Sequence, residues 1–121
     1  MTARLDHAKH LRLKTDLAAM RAQVHGLTQY RQSLRDELFD VRLHVIRSPI
    51  TQTGVKTCKD VLALPSDDLE RNRVDMASCR RGAALEDAIV DAQGRIDAAQ
   101  TELTPLAKLV EAIDRYVETN P

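Results

Sequence analysis

Mostly apolar residues recur in alternating steps of three and four along two long stretches of the chain. The first stretch extends from His10 to Val45 and the second from Leu85 to Val117. An average spacing of about 3.5 residues keeps these positions in one narrow stripe on a slightly underwound helix, which is the requirement for a coiled coil. The pattern predicts two long helices that pack along their apolar stripes, here called the first and second seams.

Both seams consist almost entirely of aliphatic side chains. The first seam comprises His10, Leu13, Leu17, Met20, Val24, Leu27, Arg31, Leu34, Leu38, Val41 and Val45. The second seam comprises Leu85, Ile89, Ala92, Ile96, Ala99, Leu103, Leu106, Val110, Ile113 and Val117. Arg31 places a charge within the first seam, where burial is costly unless the charge is paired. We expect its guanidinium to reach Glu86, Asp87 or another acid across the seam, or to specify the orientation of the helices.

The first helix is predicted over residues 3–47, because a residue that precedes proline, here Ser48, is pushed out of the α region. An insert over 48–65 follows. Within it, the S/T-x-x-D pattern from Thr57 to Asp60 is a helix-start signal and predicts a short helix over about 58–64.

The second helix is predicted over residues 66–118, with Ser66 or Asp67 as its N-terminal cap. Pro105 removes one backbone hydrogen bond, so we expect a kink near this position. Because the seam keeps its spacing on both sides of the proline, the helix is predicted to continue through it.

Together these elements predict an all-α chain, an elongated antiparallel coiled-coil hairpin that forms a single helical unit over residues 1–121. Charge agrees with this pairing, because residues 1–41 carry a net charge of +2 and residues 82–121 a net charge of −5. If paired residue numbers add to about 116, Leu17 lies opposite Ala99 in the resulting layers. Apolar side chains beside the seams further predict that the chain self-associates as a homo-oligomer.

The apolar face widens towards the end of the first helix. Phe39, Leu43 and Ile46 lie beside the seam rather than within it. We expect three side chains of the insert to cover this wider face: Val61, Leu62 and Leu64. The sequence therefore predicts a small three-helix knob where the chain reverses direction.

Patterns typical of catalysis are missing from the sequence. It contains no glycine-rich phosphate loop, no GxSxG and no HExxH. His7 and His10 stand three residues apart, but no cysteine or carboxylate at ligand spacing joins them. We expect neither an enzyme nor a cofactor or metal site.

Cys58 and Cys79 are the two cysteines of the chain, and no CxxC motif is present. If the short helix folds back on the second helix, the two thiols approach each other. A reducing cytoplasm disfavours a disulfide, so free, half-buried thiols are expected. A cytoplasmic location is itself an expectation, because the sequence has neither an apolar run of about 18 residues nor the apolar stretch of a signal peptide.

Basic residues concentrate in the middle third of the chain. Those predicted to make partner contacts are Arg71, Arg73, Arg80, Arg81, Lys56 and Lys59. The leading hypothesis is a scaffold, adaptor or assembly factor, for example of a phage or bacterial complex, that binds a protein partner and further copies of itself. A nucleic-acid-binding accessory protein is the alternative, although no interleaved aromatic residues accompany the basic cluster.

Overall fold

The computed structural model describes residues 6–46 and 55–120. Within these ranges the chain forms four helices: α1 His7–Val45, α2 Cys58–Leu62, α3 Ser66–Arg71 and α4 Met76–Thr119. The described residues contain no strand, so the all-α prediction is confirmed. No helix in this part of the chain combines the length and apolarity needed to span a bilayer.

Contacts divide the chain into two compact units. The terminal unit comprises Met1–Thr28 with Gly94–Pro121, and the central unit comprises Gln29–Gln93. Helices α1 and α4 contribute residues to both units, whereas α2 and α3 belong to the central unit alone.

In the terminal unit, the start of α1 lies beside the end of α4. Asp114 accepts a hydrogen bond from Lys14 Nζ at 3.1 Å and lies 2.9 Å from Nε2 of His10. The hydrogen bond from Lys14 lowers the pKa of the Asp114 carboxyl below its ordinary value, and the contact with His10 lowers it further. Asp6 caps α1 by accepting from the backbone N–H of Ala8 at 3.0 Å. The predicted start near residue 3 lies outside the described residues.

All seam positions are buried or partly buried. In the terminal unit Leu17, Ile96, Ala99 and Val110 are buried, and the other seam residues are partly buried. In the central unit the core consists of Leu34, Leu38, Val45, Cys58, Val61, Cys79, Leu85 and Ala92. The 3.5-residue spacing thus identifies side chains that the fold removes from water.

The short helix α2 begins where its start signal predicts. Thr57 Oγ1 accepts from the backbone N–H of Asp60 at 3.0 Å, and Asp60 Oδ2 accepts from the backbone N–H of Thr57 at 3.2 Å. This reciprocal capping box satisfies donors that a helix start leaves unpaired. The helix ends at Leu62, two residues before the predicted end.

The predicted second helix is two helices, α3 and α4. Arg73 lies between them with a φ of 50°, in the left-handed region that ends α-helices. Pro65, rather than Ser66 or Asp67, is the N-cap of α3 and makes no side-chain cap bond. Asp75 caps α4 instead, since its carboxylate accepts from both the backbone N–H and the hydroxyl of Ser78. Helix α4 then continues through Pro105 to Thr119.

Arg31 bonds to a different residue from those predicted. Its Nη1 donates to the Gln93 side-chain oxygen, while Nε is buried without a hydrogen-bond partner among the described residues. The predicted register would place residue 85 opposite Arg31. The bond to Gln93 instead brings a later residue of α4 beside Arg31.

Candidate interaction surface

An open groove of about 570 Å³ runs between α1 and α4 in the central unit. Helix α1 supplies one side, here called the α1 wall: Arg35, Leu38, Phe39 and Arg42. Helix α4 supplies the other side, the α4 wall: Glu86, Asp87, Ile89 and Val90. Thr57 and Lys59, from the cap and first turn of α2, complete the lining.

Apolar side chains at the edges of this groove are exposed to solvent. Phe39 is 63% exposed and Val90 72% exposed, whereas Leu38 on the groove floor is buried. Leu43, one turn beyond Phe39 on α1, is also exposed. Large apolar side chains around a concave surface are typical of sites that bind another macromolecule.

All three aromatic residues of the chain are exposed. Tyr30, Phe39 and Tyr116 each have at least half of their surface in contact with water, while the core is aliphatic. Aromatic rings carry a large apolar area at a small entropic cost, and they are enriched at protein interfaces. Their position outside the core favours a role in contacts with other molecules.

Glu86 joins three helices at one end of the groove. Its side chain is 10% exposed and accepts from Arg42 Nη2 at 2.9 Å. It also accepts from the backbone N–H groups of Cys58 at 2.8 Å and Lys59 at 3.0 Å. One carboxylate on α4 therefore holds α1 through a guanidinium and α2 through its first N–H groups.

The charges of the two walls have opposite sign. The α1 wall carries Arg35 and Arg42, and the α4 wall carries Glu86 and Asp87. Asp87 is 64% exposed and forms an ion pair with Lys59, which raises the pKa of the lysine. Because Glu86 is mostly enclosed, Asp87 is the more accessible acid of the α4 wall.

The predicted basic residues are exposed, and half of them form ion pairs within the chain. Three of them pair with acids of the same chain: Arg71 with Asp68, Arg81 with Glu37, and Lys59 with Asp87. Lys59 is the member of the set that lines the groove. Arg73 instead lines a separate pocket of about 250 Å³ beside α3. These ion pairs reduce the positive charge that the basic residues offer to a polyanion.

The two cysteines are free, as predicted, and are fully buried. Cys79 Sγ donates to the backbone carbonyl oxygen of Cys58 at 3.4 Å. Burial, followed by the nearby carboxylate of Glu86, raises the pKa of the Cys58 thiol to about 11. Burial also raises the pKa of Cys79. Since the thiolate is the reactive form, these thiols suit packing better than nucleophilic chemistry.

Potential metal ligands do not converge within the described residues, where no group of three or more His, Cys, Asp or Glu side chains is placed to hold an ion. The groove residues Arg35, Phe39, Arg42, Glu86, Asp87 and Val90 were not predicted as contact residues. The signal in the sequence that could have indicated this surface was the position of Phe39 and Leu43 beside the seam. We expected the insert to cover both, but α2 buries Val61 and leaves Phe39 and Leu43 exposed.

The chain matches no protein-family model, no curated protein and no solved structure. Its function is therefore argued from the groove and its surroundings.

Proposed function

We propose that the protein is a non-enzymatic interaction protein, a coiled-coil helical hairpin that acts as a scaffold, adaptor or assembly factor. It self-associates and binds through protein–protein contacts. The observation that carries this proposal is the groove, at which Phe39 and Val90 remain exposed although an aliphatic core lies beneath them. Burial of such side chains against another protein releases ordered water and stabilises the complex.

The seams support the coiled-coil part of the proposal. Within each unit, every residue of the two seams is buried or partly buried. The neighbouring positions Leu11 and Val90, which are equally apolar, are exposed. Coverage thus follows the 3.5-residue spacing rather than hydrophobicity alone, as expected for helices that pack along a narrow seam.

Nucleic-acid binding through the basic residues is the alternative. Arg73 and Arg80 are exposed, which favours it. The intrachain ion pairs of Arg71, Arg81 and Lys59 count against it, because these pairs reduce the counterion release that drives phosphate binding. The balance of charges favours a protein partner.

Two measurements on the wild-type chain distinguish a protein-binding function from a nucleic-acid-binding function. Sedimentation velocity over a concentration series should show self-association that persists at high salt, since apolar contacts respond weakly to ionic strength. Fluorescence anisotropy with a labelled DNA duplex and a labelled single-stranded RNA should show no binding at physiological salt. Tight binding to either probe that weakens steeply with salt, without self-association, would support the alternative instead.

A variant with all four arginines Arg71, Arg73, Arg80 and Arg81 changed to Glu sharpens this test. We expect it to fold, because exposed ion pairs contribute only about 0–1 kcal/mol each. Circular dichroism and the melting temperature should stay close to wild type. Under the protein-binding proposal the variant stays folded but loses the contacts that these arginines make with a protein partner. Loss of a salt-sensitive anisotropy signal in this variant would identify phosphate contacts.

A further inference from the structure

We propose that the groove is one half of a two-fold interface, in which the α1 wall of one copy packs on the α4 wall of a second copy. This inference rests on the proposed function, since it names the surface and the partner through which the chain self-associates. Two properties of the groove support it: the exposed apolar edges and the opposite charges of the walls.

The apolar edges supply the stabilising contact. Phe39 is exposed on the α1 wall and Val90 on the α4 wall, at 63% and 72%. When the walls of two copies face each other, Phe39 of each copy covers Val90 of the other. The contact is made twice in a two-fold assembly, so a small patch contributes double its own area.

Charge selects the second copy over a foreign helix. The α1 wall presents Arg35 and Arg42, and the α4 wall presents Glu86 and Asp87. A partner helix of one charge sign would be repelled by one of the two walls. A second copy carries both signs, so each wall can face its complement.

Charge also selects the direction of the two-fold axis. An axis parallel to the groove places each α1 wall over the α4 wall of the other copy, and cations then face acids. An axis across the groove places each wall over the same wall of the other copy, so that Arg35 faces the arginines of the other α1 wall. Like charges in this position weaken an interface, so the parallel axis is favoured.

Arg35 and Asp87 form the diagnostic pair of this arrangement. Glu86 is already held by Arg42 and by two backbone N–H groups of α2. Asp87 is 64% exposed and pairs with Lys59 alone among the contacts of its carboxylate in the described residues. Since a carboxylate accepts several hydrogen bonds, Asp87 can take a second cation, Arg35 of the other copy.

Charge reversal provides the test, with sedimentation velocity as the measurement. Arg35→Glu and Asp87→Arg should each raise the dissociation constant of the dimer at least about tenfold, because each creates two like-charge contacts. The double variant, with both changes in one chain, should restore dimers. An equimolar mixture of the two single variants should form heterodimers, because each reversed residue then meets its opposite.

Matched controls isolate the groove from general surface effects. Arg95→Glu changes an exposed arginine that does not line the groove and should leave the dissociation constant within about twofold of wild type. Phe39→Ser should weaken the dimer, while Tyr30→Ser, at another exposed aromatic residue of α1, should not. Circular dichroism confirms that each variant is folded.

The results of these experiments distinguish an error in the proposed interface, or in the pairing of Arg35 with Asp87, from an error in the proposed self-association. If wild-type dimers form and the single reversals leave them intact, the interface proposed here is wrong and the proposed function stands. Loss of dimers in both single variants without rescue in the double variant would also contradict the pairing of Arg35 with Asp87. A wild-type chain that stays monomeric up to about millimolar concentration, where weak dimers form, would contradict both this interface and the self-association in the proposed function.

Discussion

Gly82 is the position at which α4 leaves room for α2. A β-carbon at this residue would overlap Cys58 Sγ, lie 2.9 Å from Cys58 Cβ and lie 3.1 Å from Val41 Cγ1. Gly94, on the same helix, has no atom within 4 Å of the equivalent point. One glycine is therefore required by packing, and the other weakens α4 without an apparent contact to justify it.

Substitution by alanine should have opposite effects at these two glycines. Gly82→Ala should lower the free energy of unfolding by about 1–3 kcal/mol, because overpacking displaces Cys58 and α2. Gly94→Ala should raise it by about 0.5–1 kcal/mol through better helix propensity. Urea unfolding followed by circular dichroism measures both. Stabilisation of both variants would mean that α2 does not pack against Gly82.

At the scale of elements, α2 is too short to be stable by itself. A helix of five residues lies far below the length at which isolated helices persist in water. Its stability comes from the capping box of Thr57 and Asp60 and from the carboxylate of Glu86 on α4. Burial of Val61 in the central core adds an apolar contact.

Glu86→Gln should release α2 from the central unit. The change keeps the shape of the side chain and removes the charge that receives Arg42 and two backbone N–H groups, a loss of about 1.5–3 kcal/mol. Alkylation of Cys58, which is normally buried and protonated, should accelerate in proportion to the opening of α2. Urea unfolding and mass spectrometry of the alkylated chain measure the two effects.

Asp87→Asn is the matched control for this experiment. It changes the adjacent acid, whose ion pair with Lys59 is exposed and is therefore weakened by solvent and salt. Stability and the rate of Cys58 alkylation should stay close to wild type. Equal effects of the two substitutions would show that net charge, rather than the bonds of Glu86, stabilises α2.

At the scale of the whole molecule, both units depend on the same two seams. Val24 belongs to the terminal unit and Ile89 to the central unit, and both side chains are partly buried. Each has an exposed neighbour in the chain, Gln23 and Val90 respectively. Adjacent positions on one helix therefore differ in burial, and this difference makes a direct test of the seams possible.

A variant with both Val24 and Ile89 replaced by Asp should lose helicity and self-association, because each substitution places an unpaired carboxylate in an apolar contact. Gln23→Asp and Val90→Asp should retain helicity, since both side chains are exposed in the folded chain. Val90→Asp should weaken self-association alone, because Phe39 of the other copy covers Val90 in the proposed interface. Far-ultraviolet circular dichroism and sedimentation velocity measure these effects. Survival of both helicity and assembly in the Val24 and Ile89 variant would mean that the seams are misassigned.

Local patterns in the sequence determine most of the elements. The 3.5-residue spacing predicts which residues of α1 and α4 are covered, and the Thr57–Asp60 pattern predicts the start of α2. Both signals act over a few residues, so the sequence alone is enough to recognise them. The break between α3 and α4 has a weaker signal, because its left-handed residue is Arg73 rather than a glycine.

The tertiary structure decides the contacts between elements. The partner of Arg31 and the exposure of Phe39 depend on how α1, α2 and α4 pack against one another in the central unit. Glu86 is an ordinary surface acid in the sequence and becomes the junction of three helices only after α2 packs beside it. The sequence by itself thus determined the helices and their apolar faces through local periodicity. Packing between distant segments decided the groove and its opposed charges, because those side chains meet only in the folded chain.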